Sequence, residues 1–173
     1  MALTPEQRER RKRFIGSSDI AAICGFSEFA NVGDVWLEKT GRLKEGGGSD
    51  AADLGIDMEE TVIQQIERRL DRPVHRNIWL DDGGYRCANL DGALLSNQAP
   101  EISLGKVLHW NGTWLEAPVE AKSTGYKEEF WGEEIDAVPA IVKCQLLWQM
   151  DRIGDHCQYG ISGVIWPKFK RFN

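Results

Sequence analysis

Asn89-Leu90-Asp91-Gly92 and, further along, Val119-Glu120-Ala121-Lys122-Ser123 are the two stretches on which the fold turns. Read as a strand, the second sends Glu120 and Lys122 to one face and Val119, Ala121 and Ser123 to the other. In the first, Asp-Gly is an ordinary turn pair. Yet Leu90, Ala93 and Leu94 flank it with apolar side chains, which puts Asp91 inside a strand region. Working outward, Asn111-Gly112 between residues 106–110 and 113–123 is a strong hairpin signal. Residues 74–80 and 85–95 read as two more strands about the turn Asp81-Asp82-Gly83-Gly84, and residues 156–166 as a last one.

Helical patterns surround this sheet. Thr4 and Pro5 suit the cap and first turn of a helix running to about residue 12. Ser17 or Ser18 would cap a short helix over residues 19–24, ended by Gly25. Residues 32–40, 49–70 and 139–153 carry three further helices, and residues 44–49, with three consecutive glycines, read as a flexible loop. Helices, then strands, a helix and a strand predict an α/β (α+β) fold with a mixed central sheet flanked by helices. At 173 residues the chain is expected to be one domain, with a helical part over about residues 1–72 and a sheet-containing core over about 73–173.

Composition narrows the classes. Hydrophobic content of 42% with seven Trp suits a packed globule. No run of 18 or more apolar residues marks a membrane span. The opening residues lack the apolar region of a secretory signal. Cys24, Cys87, Cys144 and Cys157 have no C-x-x-C spacing, so zinc, redox and iron–sulfur motifs are poorly supported, and free thiols in a reducing cytoplasm are expected. A net charge of −6 argues against non-specific coating of DNA. The basic residues are uneven, however: Arg8, Arg10, Arg11, Lys12 and Arg13 crowd one segment, and Lys168, Lys170 and Arg171 another. Such clusters contact phosphates or form solvated faces with neighbours such as Glu6 and Glu9.

The candidate chemistry follows from residue types. Hydrolysis of a phosphodiester needs hard oxygen ligands for Mg²⁺, an activated water and a nearby positive group. Asp91, Glu120 and Lys122 supply that set; a surface ion pair on a solvated sheet face is the alternative. Glu59 continues the apolar stripe of Val62, Ile63, Ile66 and Leu70 by one turn, whereas Glu60 falls off it. An inward carboxylate needs a partner, either a metal ion or a salt bridge. Gln145 and Gln149 lie one turn apart on one helix face. Ser18 at a helix start is a cap or, with a nearby arginine, a phosphate contact.

Four blocks in order carry a resemblance. They are Ile15-Gly16-Ser17-Ser18-Asp19-Ile20-Ala21-Ala22-Ile23, Gly55-Ile56-Asp57-Met58-Glu59, the Asp91 and Glu120-Ala121-Lys122 pair, and the segment from Pro139 through Gln145 to Gln149. Over roughly residues 11–166 the chain resembles the YqaJ-type viral recombinases, relatives of phage lambda exonuclease within the PD-(D/E)xK nucleases. The departures are Ile56 and Glu60 in the second block, Leu147 in the fourth, a long gap between Asp91 and Glu120 that makes residues 106–115 look like an inserted hairpin, and an early stop after Trp166.

The resemblance implies a restriction-endonuclease-like core and a Mg²⁺-dependent nuclease, with Mn²⁺ able to substitute. Asp91 and Glu120 would be metal ligands, joined by the Ala121 carbonyl and Glu59, with Gln145 approaching the metal site. Lys122 would orient the attacking water, lower its pKa or stabilise the pentacovalent phosphate. A lysine beside two carboxylates should stay protonated, which favours the electrostatic roles. Arg11 and Ser18 match, by spacing, an Arg–Ser pair that holds the 5′-phosphate of a DNA end; Lys12 or Arg13 are alternatives for the arginine. The expected activity is 5′→3′ exonuclease action on double-stranded DNA ends. The setting would be phage or prophage recombination in a bacterial cytoplasm, beside a single-strand annealing protein, and a homo-oligomer is compatible. An endonuclease or nickase on the same core, and a silent DNA-end-binding or inhibitor protein, are the rival readings.

Overall fold

The computed structural model describes residues 9–42, 50–81, 83–98, 109–110, 112–123, 131 and 137–165. The elements run α1 (Ser17–Ile23), α2 (Val32–Lys39), α3 (Asp50–Leu70), β1 (His75–Asp81), β2 (Cys87–Ser96), β3 (His109–Trp110), β4 (Thr113–Ser123), α4 (Ala140–Ile153) and β5 (Ile161–Ile165). Residues 9–11 are also helical. Among the described residues the strands form one mixed sheet. β1, β2, β4 and β3 are antiparallel neighbours, and β5 joins β4 in parallel. This is the expected mixed α/β architecture. The basic cluster at residues 168–171, the loop at 44–49, the first eight residues and residues 106–108 lie outside the described residues. No described helix is long and apolar enough to cross a membrane.

β2 runs straight through Asp91-Gly92, so that pair is not a turn. A Cβ on Gly92 would stand 2.4 Å from Val74 Cγ1, too close for any side chain. Pairing with β4 places Gly92 opposite Val119. Just beyond this pair, Asp91 and Glu120 stand on the adjacent strands, and the Ala121 N–H donates to Asp91 Oδ2 at 2.9 Å. At the far end of β1–β2, Asp81 pairs with Cys87, and Gly83 takes a left-handed φ of 75° in the connecting turn.

β4 holds one extra residue. Leu94 faces Ala117, but the next residue, Leu95, faces Leu115, which leaves Glu116 as a β-bulge. The bulge reverses the alternation of the strand. Leu115 packs with Ile153 of α4, while Ala117 and Val119 pack with Val62, Ile63 and Ile66 of α3. Arg72 grips the Glu116 carboxylate with two hydrogen bonds, 2.9 and 2.7 Å, and Tyr159 donates its hydroxyl to the same group.

The helices differ from expectation in detail. The stripe of α3 ends at Ile66, and Leu70 is 40% exposed. The last strand begins at Ile161, five residues later than expected, after α4 has ended at Gly154 with φ 125°. Neither Ser17 nor Ser18 caps α1. Gly16 is the cap, and its N–H donates to Asp19 Oδ2 at 2.8 Å. Immediately before it, Ile15 bridges to the start of β2: its N–H donates to the Tyr85 carbonyl (2.7 Å), and the Cys87 N–H donates to its carbonyl (3.0 Å). Arg10 bonds Asp81 at 2.8 Å and lies over the Trp79 ring, while Lys12 pairs with Glu9. The basic N-terminal segment is thereby strapped to the sheet edge rather than forming a simple solvated face.

Candidate functional site

Three strands, two helices and the N-terminal strap converge on a cavity of about 150 Å³. Asp91 and Asn89 of β2 and Glu120 of β4 form its floor, Gln145 of α4 one wall, and Arg11 with Gly16 to Ser18 the opposite wall. The period-2 geometry of the strands explains the floor: Cys87, Asn89 and Asp91 share one face of β2, and the bulge sets Glu120 and Lys122 on the face of β4 that meets α4.

Glu120 is 4% exposed, and both its oxygens are engaged. Lys122 Nζ donates to Oε1 at 2.5 Å, and Gln149 Nε2 donates to Oε2 at 2.6 Å. Asp91 Oδ2 accepts the Ala121 N–H at 2.9 Å. Burial, and then the charge of Glu120, raise the Asp91 carboxyl well above the usual carboxylate range; the Ala121 N–H and Lys122 offset only part of this. Burial pulls Lys122 down, but the charge and hydrogen bond of Glu120 outweigh it, so its ammonium is held above its ordinary value. This direction favours a protonated Lys122. Cys87 also borders the cavity, but burial pushes its thiol up to about 11, which makes it inert as a nucleophile.

On α4, Gln145 and Gln149 both turn inward, and the Oε1 of each is buried with no hydrogen-bond partner among the described residues. Such orphaned acceptors are costly unless something donates to them or coordinates them. Opposite, Arg11 Nη2 donates to Ser18 Oγ at 2.9 Å. Of the residues singled out in the sequence, Asp91, Glu120, Gln145, Arg11 and Ser18 border this one cavity, and Lys122 and Ala121 join it through hydrogen bonds to the two acids. Glu59 is half-buried on α3, and its charge reaches Asp91 and Lys122 only as the weakest of their named influences. Among the described residues no group of three or more His, Cys, Asp and Glu side chains is gathered so as to hold a metal ion. The floor has two carboxylates, and its third oxygen comes from an amide.

The one-turn spacing of Gln145 and Gln149 was legible in the sequence, and Gln149 is fully buried. Two residues were not singled out from the sequence. Buried Asp19 pairs with the partly buried Lys39, Nζ to Oδ2 2.7 Å, behind the Arg11 wall. Asp19 reads in sequence as a first-turn helix acid, and nothing in the chain before or after it names Lys39 as its partner.

A family model, the YqaJ-like viral recombinase domain, matches residues 7–154. No curated protein matches the chain.

Proposed function

The chain belongs to the YqaJ-like viral recombinase family, and from that membership we propose that it is a divalent-metal-dependent nuclease that degrades double-stranded DNA from a 5′ end. The observation that carries the reading is the floor of the cavity: Asp91 and Glu120 on adjacent strands, Lys122 bonded to the second acid, and the unpartnered Gln145 Oε1 in the wall. Two crowded carboxylates, one with a raised pKa, are poorly matched to each other and well matched to a cation. The donors are all hard oxygens, the set that Mg²⁺ and Mn²⁺ take. Asp91, Glu120, Gln145 Oε1 and the Ala121 carbonyl would hold the ion, with Glu59 contributing charge from α3. When bound, the ion would supply a water activated at neutral pH and a counter-charge to the phosphate.

The chain's own residues do the rest. Gln149 and Lys122 fix the Glu120 carboxylate between them. Lys122, held protonated, would offset the negative charge that builds on the phosphate during attack. Arg11, with Ser18, presents a guanidinium suited to a terminal phosphate. Degradation from such an end suits phage-type recombination in a bacterial cytoplasm, with a single-strand annealing protein taking the exposed strand.

The test is digestion of end-labelled linear duplex and of closed circular duplex with Mg²⁺, with and without EDTA. The linear substrate should be degraded, the circle should survive, and EDTA should stop the reaction. Cleavage that persists in EDTA or in Asp91→Ala sinks the metal-nuclease reading. A cut circle moves the assignment to an endonuclease on the same core.

A further inference from the structure

Behind the Arg11 wall lies a polar network that the chemistry above does not use. Asp19 is 4% exposed. Its Oδ2 receives the Gly16 N–H at 2.8 Å and the Lys39 ammonium at 2.7 Å. Its Oδ1 is left facing Arg11 Nη2 at 3.8 Å, the same nitrogen that donates to Ser18 Oγ. Lys39 also reaches the Arg11 backbone, donating to its carbonyl at 3.3 Å. Neither Asp19 nor Lys39 borders the cavity.

From this geometry we infer that Asp19 and Lys39 are positioning residues that hold the Arg11 guanidinium and the Ser18 hydroxyl as a preformed receptor for a terminal phosphate. The inference rests on the proposed role of Arg11 and deepens it. An arginine side chain has many rotamers, and pinning one before the ligand arrives removes an ordering cost from binding. Here the pinning is double. Lys39 fixes the backbone from which Arg11 springs, and Asp19 draws the guanidinium towards Ser18. Lys39 is shared with Glu38, whose more exposed carboxylate lies 3.7 Å away. A positioning role also explains why a largely buried salt bridge sits here at all. Such pairs are weak stabilisers, since desolvation consumes most of their attraction.

The experiment measures binding without cleavage. A fluorescent hairpin duplex carrying either a 5′-phosphate or a 5′-hydroxyl is titrated in EDTA against wild type, Asp19→Asn, Lys39→Met and the double variant. Wild type should prefer the phosphorylated end. Each single variant should lower that preference by about tenfold, the scale of a misplaced binding group. The double variant removes both buried charges together, so its melting temperature should recover relative to the single variants while the preference stays low. A double variant that regains the preference along with its stability shows that the pair only holds the fold, and overturns the inference. So does a wild type indifferent to the 5′ group, because there is then no receptor to position. Failure of the nuclease reading shows elsewhere, as an absence of Mg²⁺-dependent cleavage.

Discussion

At the scale of single residues, the floor of the cavity trades stability for chemistry. Burial and the charge of Glu120 both work against ionisation of Asp91. Asp91→Asn keeps an oxygen to accept the Ala121 N–H and removes the repulsion. It should therefore raise the melting temperature of the metal-free protein and at the same time lower turnover by about 10³-fold, the loss expected when charge stabilisation worth several kcal/mol goes. Thermal melts in EDTA and single-turnover cleavage with Mg²⁺ read the two effects; a fall in both would mean the carboxylate supports the fold. Glu59 and Glu60 offer a paired control. Glu59 is half-buried and electrostatically coupled to Asp91, whereas Glu60 is exposed and bonded to Arg76 at 2.9 Å. Glu59→Gln should slow Mg²⁺-dependent cleavage and Glu60→Gln should leave it near wild type. Equal losses would remove Glu59 from the site.

At the scale of elements, β2 rests on one glycine. Gly92→Ala places a methyl carbon within 2.4 Å of Val74 Cγ1 and 3.2 Å of the His75 carbonyl oxygen. The substitution should cost about 1–3 kcal/mol, as overpacking of a tight contact does, measured as a lower urea midpoint with an unchanged slope. A neutral result would mean that residues 74–75 yield freely. This position also shows what the sequence could tell. The strand on each side of Asp91-Gly92 was legible from Leu90, Ala93 and Leu94, and the two faces of 119–123 from simple alternation. The reason for the glycine was not legible, because Val74 approaches it only once β1 and β2 have paired. The cap of α1 shows the same limit. Two serines stand at the expected position, yet Gly16 takes it, since Asp19 reaches back and the bridge of Ile15 to β2 fixes where the helix can begin.

At the scale of the whole molecule, two arginines tie α3 and the segment after it to the sheet. Hydrogen bonds from Arg76, and then from the Val74 N–H, bring the Glu67 carboxyl from 4.5 down to about 2. Arg72 likewise lowers Glu116. A carboxyl depressed by folding adds stability that is complete above its unfolded value and vanishes as pH falls through its folded one. Stability should therefore decline between about pH 4.5 and 2, and Arg76→Met should flatten that decline, as followed by urea midpoints across the range. An unchanged slope would assign acid sensitivity to other groups. The sequence disclosed the members of the cavity floor but not how one strand serves two helices. Glu116 looks like any polar residue of an alternating strand, and only pairing with β2 reveals it as the odd one out. Seen from there, β4 is a sentence written in two reading frames. Upstream of Glu116, odd positions address α4; downstream, odd positions address α3 and even ones carry Glu120 and Lys122. Striking out that one letter leaves the composition nearly intact and every motif still recognisable. Yet it forces a choice between a hydrophobic half turned outward and the half with Glu120 and Lys122 turned away from the cavity. An alignment that spaces Asp91 and Glu120 correctly can thus still describe a chain unable to bring them face to face.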